Sequence, residues 1–180
     1  MYCLVFILCG VIACSLSSCS SSVDASKAAL DPVVSGPVSG SDALERRIAT
    51  SIETYRKAKR LKPIAYHPKM AKMARKHSEY LMRQYLRSGK RSLNHDGSGG
   101  RSNTMLYSMG MRKTSENVAY IWGDAGDVAM RFSRDWINSK KHKFNILGHW
   151  DFTGVGIAKC PDGTIFATQL FALEDDFENF

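Results

Sequence analysis

The chain has 180 residues, 44% of them apolar, and 25 Lys and Arg against 17 Asp and Glu, for a formal net charge of +8. That length allows one domain with a proper core and argues against two of ordinary size. The basic residues spread from Lys27 to Lys159, densest at Arg56 to Lys62, Lys69 to Lys76 and Lys140 to Lys143. Without one dense tract, they argue against a nucleic-acid binder and read as a broad basic surface suited to anionic lipid or an envelope polymer.

Four of the five cysteines, Cys3, Cys9, Cys14 and Cys19, lie in the first nineteen residues, and only Cys160 lies beyond. This is not a disulfide scaffold. Tyr2 to Ala13 is apolar and uncharged, and gives way to a Ser-rich stretch ending in Leu16-Ser17-Ser18-Cys19. The segment falls short of the roughly 20 residues of a membrane span and reads as a signal peptide over residues 1–18. Leu-Ser-Ser-Cys resembles a lipobox, which makes Cys19 the expected site of a diacylglycerol that ties the protein to a membrane leaflet. Val11-Ile12-Ala13-Cys14 fits the same pattern, but cleavage there leaves a hydrophobic region near its lower limit of length. Residues 19–40, rich in Ser, Ala, Val, Pro and Gly, read as a tether.

At Asp42 the pattern turns helical. Asp42-x-x-Glu45 resembles a capping box, and Leu44, Ile48, Ile52 and Tyr55 predict an amphipathic helix to about Lys59. Pro68 suits the first turn of a second helix, to about Leu86, with Met70, Met73, Ala74, His77 and Leu81 on one face. Ser88 to Asn103 is polar and glycine-rich and reads as a loop. A short helix at Thr104 to Met109 and an extended piece at Glu116 to Tyr120 follow. Val128, Ala129, Phe132 and Trp136 predict a helix over Asp124 to Asn138. Thr153 to Lys159 and Thr164 to Phe171 read as strands joined by a Cys160-Pro161-Asp162-Gly163 turn. The whole is an α+β domain over residues 41–173, with an acidic tail at 174–180.

Three ionisable residues stand where packing explains least: His95 in Asn-His-Asp-Gly, Glu116 in Ser-Glu-Asn-Val-Ala, and His142 in Ser-Lys-Lys-His. Two neutral imidazoles and a carboxylate form a competent shell for zinc or a similar divalent cation if the fold gathers them. Their spacing carries no local motif, and loop or cap roles fit them equally. His67 reads as a residue leading into the second helix, His77 as a hydrogen-bonded core side chain and His149 as a loop residue. The glycines at 97, 99 and 100 lack the strand and the Gly-Lys-Ser/Thr ending of a phosphate loop. No Gly-x-Ser-x-Gly elbow occurs.

The order Leu61-Lys62-Pro63-Ile64, His77-Ser78, His95-Asp96-Gly97 with Arg101, Glu116-Asn117-Val118-Ala119, Trp136-x-x-Ser139-x-x-His142-x-x-Asn145-Ile146-Leu147, Gly154-Val155-Gly156 and Gln169-x-Phe171 resembles the bacterial branch of the CAP superfamily. These are the cysteine-rich secretory, antigen 5 and pathogenesis-related 1 proteins. The resemblance implies a three-layer α-β-α sandwich with a central antiparallel sheet. It also implies a cleft of two His and two acidic residues able to hold a divalent cation. His95, Glu116 and His142 match three of the four. Ser139 stands where many eukaryotic members have the second Glu, which removes one charge from that shell.

The expected protein is an extracytoplasmic, lipid-anchored binding module, not an enzyme, that holds a lipid, sterol-like molecule or envelope glycan in this cleft. A metal-assisted hydrolase using the same cleft, with Glu116 as general base, and an adhesin or structural envelope protein are the alternatives.

Overall fold

The computed structural model describes residues 40–124 and 126–175. The expected signal peptide, Cys19, nearly all of the tether, and residues 176–180 of the acidic tail lie outside the described residues. The elements are α1 (Gly40–Ala58), β1 (Ala65–Tyr66), α2 (Pro68–Ser88), α3 (Ser98–Ser108), β2 (Met111–Ile121), α4 (Val128–Asn138), α5 (Lys140–Ile146), β3 (Phe152–Lys159) and β4 (Ile165–Glu174). They form an α+β sandwich around one sheet in the order β1-β3-β4-β2. The β3, β4 and β2 pairings are antiparallel, as expected. The two-residue β1 adds a parallel pair to β3 at the edge, through Ala65↔Phe152 and Tyr66↔Thr153.

Alternation along the strands assigns each residue to a layer. Val155, Ile157, Ala167 and Phe171 face one way and pack with Leu44, Ile48 and Ile52 of α1 and Phe132 and Trp136 of α4. Leu170, Val118 and Phe166 face the other way, against Met70, Ala74 and Leu81 of α2 and Met105 of α3. The apolar spacing along α1, α2 and α4 is therefore the imprint of the two cores.

The helix ends are set by local chemistry. Pro68 opens α2, and Gly89, with φ +67°, ends it in the left-handed conformation while its N–H bonds to the Tyr85 carbonyl at 2.8 Å. Asp127 caps α4 by accepting from the backbone N–H groups of Ala129 (3.0 Å) and Met130 (3.2 Å), which holds its carboxyl below the usual range.

Glu45 does not close a capping box. The helix already begins at Gly40, and the Glu45 carboxylate, fully buried, turns into the protein. It accepts from Arg75 Nε at 2.8 Å and from the Ile157 backbone N–H at 3.0 Å, while Arg75 also pairs with Asp42. Arg56 likewise belongs to the interior and not to the basic surface. Its guanidinium, 1% exposed, donates to the carbonyls of Ile146 (2.6 Å), Gly148 (2.8 Å) and Lys62 (3.0 Å), which ties the end of α5 to α1.

Two regions depart from the sequence expectation. The glycine-rich stretch is helical from Ser98, although Gly99 and Gly100 weaken a helix by about 1 kcal/mol each relative to Ala. Tertiary anchors override that propensity: Ser102 Oγ meets Thr114 Oγ1 at 2.7 Å, Met105 is 2% exposed, and Arg101 is held by β2. The second is α5, whose seven residues are too few for periodicity to reveal.

Gly154 and Gly156 set how closely α2 lies on the sheet. A Cβ on Gly154 would overlap the backbone of Met70 and Ala71, and one on Gly156 that of Ala74 and Arg75. Gly156→Ala is therefore expected to lower unfolding stability by about 3 kcal/mol. Gly163→Ala, at φ +81° but with open space around its Cβ, is expected to cost only about 1 kcal/mol. Urea titration of both variants checks this, and equal losses would remove the close-approach argument.

Candidate functional site

Edge strand β2 carries the centre of the site. Glu116 lies opposite Leu170 of β4, on the α2 and α3 side of the sheet, with its side chain 9% exposed. Three donors converge on its carboxylate. Arg101 of α3 donates through Nε to Oε2 at 2.7 Å and through NH2 to Oε1 at 2.9 Å, and His95 Nδ1 lies 2.8 Å from Oε1. The Arg101 contact is the two-point geometry for which guanidinium and carboxylate are matched. Arg101 NH1 also donates to the Asp96 carbonyl at 2.8 Å, so one side chain fixes both the strand and the loop that presents His95.

His142 reaches the same strand from the other layer. Asn117, fully buried, points to the opposite face from Glu116 and donates through Nδ2 to the His142 carbonyl at 3.3 Å. Asn145, one helical turn on, donates to Asn117 Oδ1 (2.8 Å) and to the Glu116 carbonyl (3.2 Å). These bonds lock α5 to β2. Burial and then the charge of His95 hold the His142 imidazole below its ordinary pKa, and its Nδ1 is buried without a hydrogen-bond partner.

The structure thus brings His95 and Glu116 into contact and sets His142 beside them across the edge strand. Ser139 stands at the break between α4 and α5, where its N–H bonds to the Asp135 carbonyl at 3.1 Å and its carbonyl accepts from Lys143 at 2.8 Å. The cavity of about 340 Å³ that contains His95, Arg101 and Glu116 includes neither Ser139 nor His142 in its wall.

Among the described residues no group of three His, Cys, Asp or Glu side chains is placed to hold a metal ion. Both oxygens of the Glu116 carboxylate face the Arg101 guanidinium.

Sequence reasoning missed two residues of the site. Arg101 was visible only as part of a family pattern, with no role attached. His77 was expected to be a hydrogen-bonded core side chain, and its Nδ1 does lie 3.1 Å from Thr168 Oγ1. It also forms part of the wall of a second cavity, of about 480 Å³, between α2 and α3, with Met73, Tyr80, Gly97, Gly100 and Arg101. Burial first, then the charge of Arg101, hold His77 below its ordinary pKa. Cys160 is buried, and burial pushes its thiol pKa up, so it is not an activated nucleophile.

The cysteine-rich secretory protein family, CAP, matches residues 50–171. No curated protein matches the chain. Among solved structures, an outer surface protein from Borrelia burgdorferi is similar at 20% identity and a TM-score of 0.61, covering 75% of this chain and 96% of that one. An extracellular protein containing an SCP domain from Bacillus anthracis is similar at 21% identity and a TM-score of 0.56, covering 78% of this chain and 45% of that one. A cysteine-rich secretory protein from Staphylococcus aureus is similar at 19% identity and a TM-score of 0.53, covering 77% and 40%. The chain thus spans less than half of the last two. At these identities the likeness shows the fold alone.

His67, His77 and His142 are all held below the ordinary imidazole value of 6.5, burial being the main cause each time. Each binds fewer protons folded than unfolded around that value. Their contribution to stability is therefore complete above pH 6.5 and is lost as the pH falls below it toward the folded values. Urea midpoints are expected to drop between pH 7.5 and pH 5, with the three imidazoles titrating below 6.5 in a proton NMR series. Titration of the three at or above 6.5 would contradict the burial argument.

Proposed function

Because the chain belongs to the cysteine-rich secretory protein (CAP) family, we propose that it is an extracytoplasmic binding module that holds an amphipathic lipid, sterol-like or glycan ligand, and that Cys19 carries the lipid that anchors it. The observation that carries this reading is the cavity of about 480 Å³ between α2 and α3, which Arg101 separates from the carboxylate of Glu116. Its walls combine Met73 and the Tyr80 ring with the polar groups of Lys76 and Thr104, the composition of a site for a molecule with an apolar body and a polar head. The cavity is also within reach of the His95 loop, so ligand contact and the Glu116 cleft share Arg101 as a common wall.

Binding is favoured over hydrolysis by the state of Glu116. Its carboxylate is committed to Arg101 and His95, which makes it an anchor for the loop and α3 and not a base waiting for a water. The outer surface and extracellular relatives of the same fold support an extracytoplasmic place. Among the described residues no helix is long and apolar enough to cross a membrane, so a membrane association would run through residues outside them or through the domain surface.

Mass spectrometry of the protein purified from its own host is expected to show a co-purifying lipid or glycan and a diacylglyceryl group on Cys19. Gly100→Leu puts a side chain where a Cβ has open space, in the wall of the cavity and on a helix that Leu favours. That variant is expected to fold and to lose at least about tenfold of the co-purified ligand. Repeated recovery of empty wild-type protein would overturn the binding reading, and an unmodified Cys19 would overturn the anchor.

A further inference from the structure

The short helix α5 has two faces of opposite character. At about 3.6 residues per turn, His142, Asn145 and Ile146 share the inward side, where Ile146 is fully buried and Asn145 bonds to β2. The outward side is Lys143, Lys140, Phe144 and Lys141, in that angular order, so the aromatic ring stands amid three ammonium groups. Phe144 is 80% exposed, among the most exposed large apolar side chains of the described residues. Its helix carries no acidic residue, and none of the three lysines enters an ion pair among the described residues.

We propose that this face of α5 docks on an anionic lipid bilayer, with Phe144 inserted at the headgroup level and Lys140, Lys141 and Lys143 against lipid phosphates. The chemistry selects a bilayer over a protein partner. Lysine is depleted from the centres of protein interfaces, and a single aromatic ring ringed by ammonium groups offers no apolar patch to bury. At a membrane surface the same arrangement is favourable, because the ring sits among headgroups while lysine stems run along it and their charges stay with the phosphates. The surface acts beyond the proposed ligand cavity and does not depend on it. It also supplies a second attachment beside a lipid on Cys19.

The test uses the full chain with Cys19→Ser, so that no covalent lipid contributes, and vesicles of equal parts phosphatidylglycerol and phosphatidylcholine against phosphatidylcholine alone. Sedimentation is expected to show binding at least about tenfold tighter to the anionic vesicles, lost at high salt. The double variant Lys140→Glu/Lys141→Glu is expected to remove about tenfold of that preference or more. In Phe144→Trp, brominated acyl chains are expected to quench the added indole emission over the background of the wild-type chain. Equal binding to both vesicle types, an unchanged double variant, or an unquenched Trp at position 144 would each overturn the docking face. Because Gly100→Leu leaves α5 untouched, its vesicle binding is expected to match the parent. A loss there would place the lipid in the α2–α3 cavity and overturn the inference while sparing the proposed function.

Discussion

The two-point pair of Arg101 with Glu116 is the contact on which the site's geometry depends. The chain from Lys90 to Ser108 buries little of its own: Met105 is the one fully buried apolar side chain of α3. A segment with so few apolar contacts and two glycines in its first turn does not hold a helix by propensity. What holds it is a nearly buried guanidinium bonded to a strand carboxylate and to the Asp96 carbonyl, reinforced by Ser102 against Thr114. Removing either partner would leave the other charged group buried and unpaired, which costs far more than the pair's net contribution. His95, the cavity wall at Gly97 and Gly100, and the separation of cavity from cleft all follow from that one contact.

A second constraint acts from the sheet. Glycines at 154 and 156 let the backbone of α2 approach β3 more closely than any side chain would allow. At that distance Ser78 Oγ reaches the Gly156 carbonyl at 2.8 Å, and His77 reaches Thr168. The helix that forms one wall of the cavity is thus positioned by the absence of two side chains, and the helix that forms the other by one ion pair. On the opposite layer, Arg56 and Asn117 perform the matching task for α5, fixing its carbonyls and its place on β2.

Much of the fold was legible because its signals are local. The apolar spacing of α1, α2 and α4, Pro68 and the Asp-Gly turn at 162 and 163 each act within a few residues, and the elements appear where those signals stand. The family order of motifs carried the convergence of His95 with Glu116, which no spacing rule gives. What stayed hidden acts at long range. Glu45 has the sequence signature of a cap but serves Arg75, thirty residues away, and Ile157. Arg56 and Arg101 look like surface charge in a basic chain, and only the fold reveals that carbonyls and a carboxylate await them. The partner of Glu116 stayed hidden for the same reason: nothing near it in the sequence points to Arg101, fifteen residues back.

The resulting picture is a CAP-family domain whose central carboxylate has a structural duty, with the cavity proposed for recognition beside it. Amide hydrogen exchange on the full chain with Arg101→Met tests this most directly. The account predicts that protection in α3 and at the His95 loop collapses while β3, β4 and α1 keep theirs. Unchanged protection across Ser98–Ser108 would contradict it, because the segment would then be held by something other than the pair with Glu116.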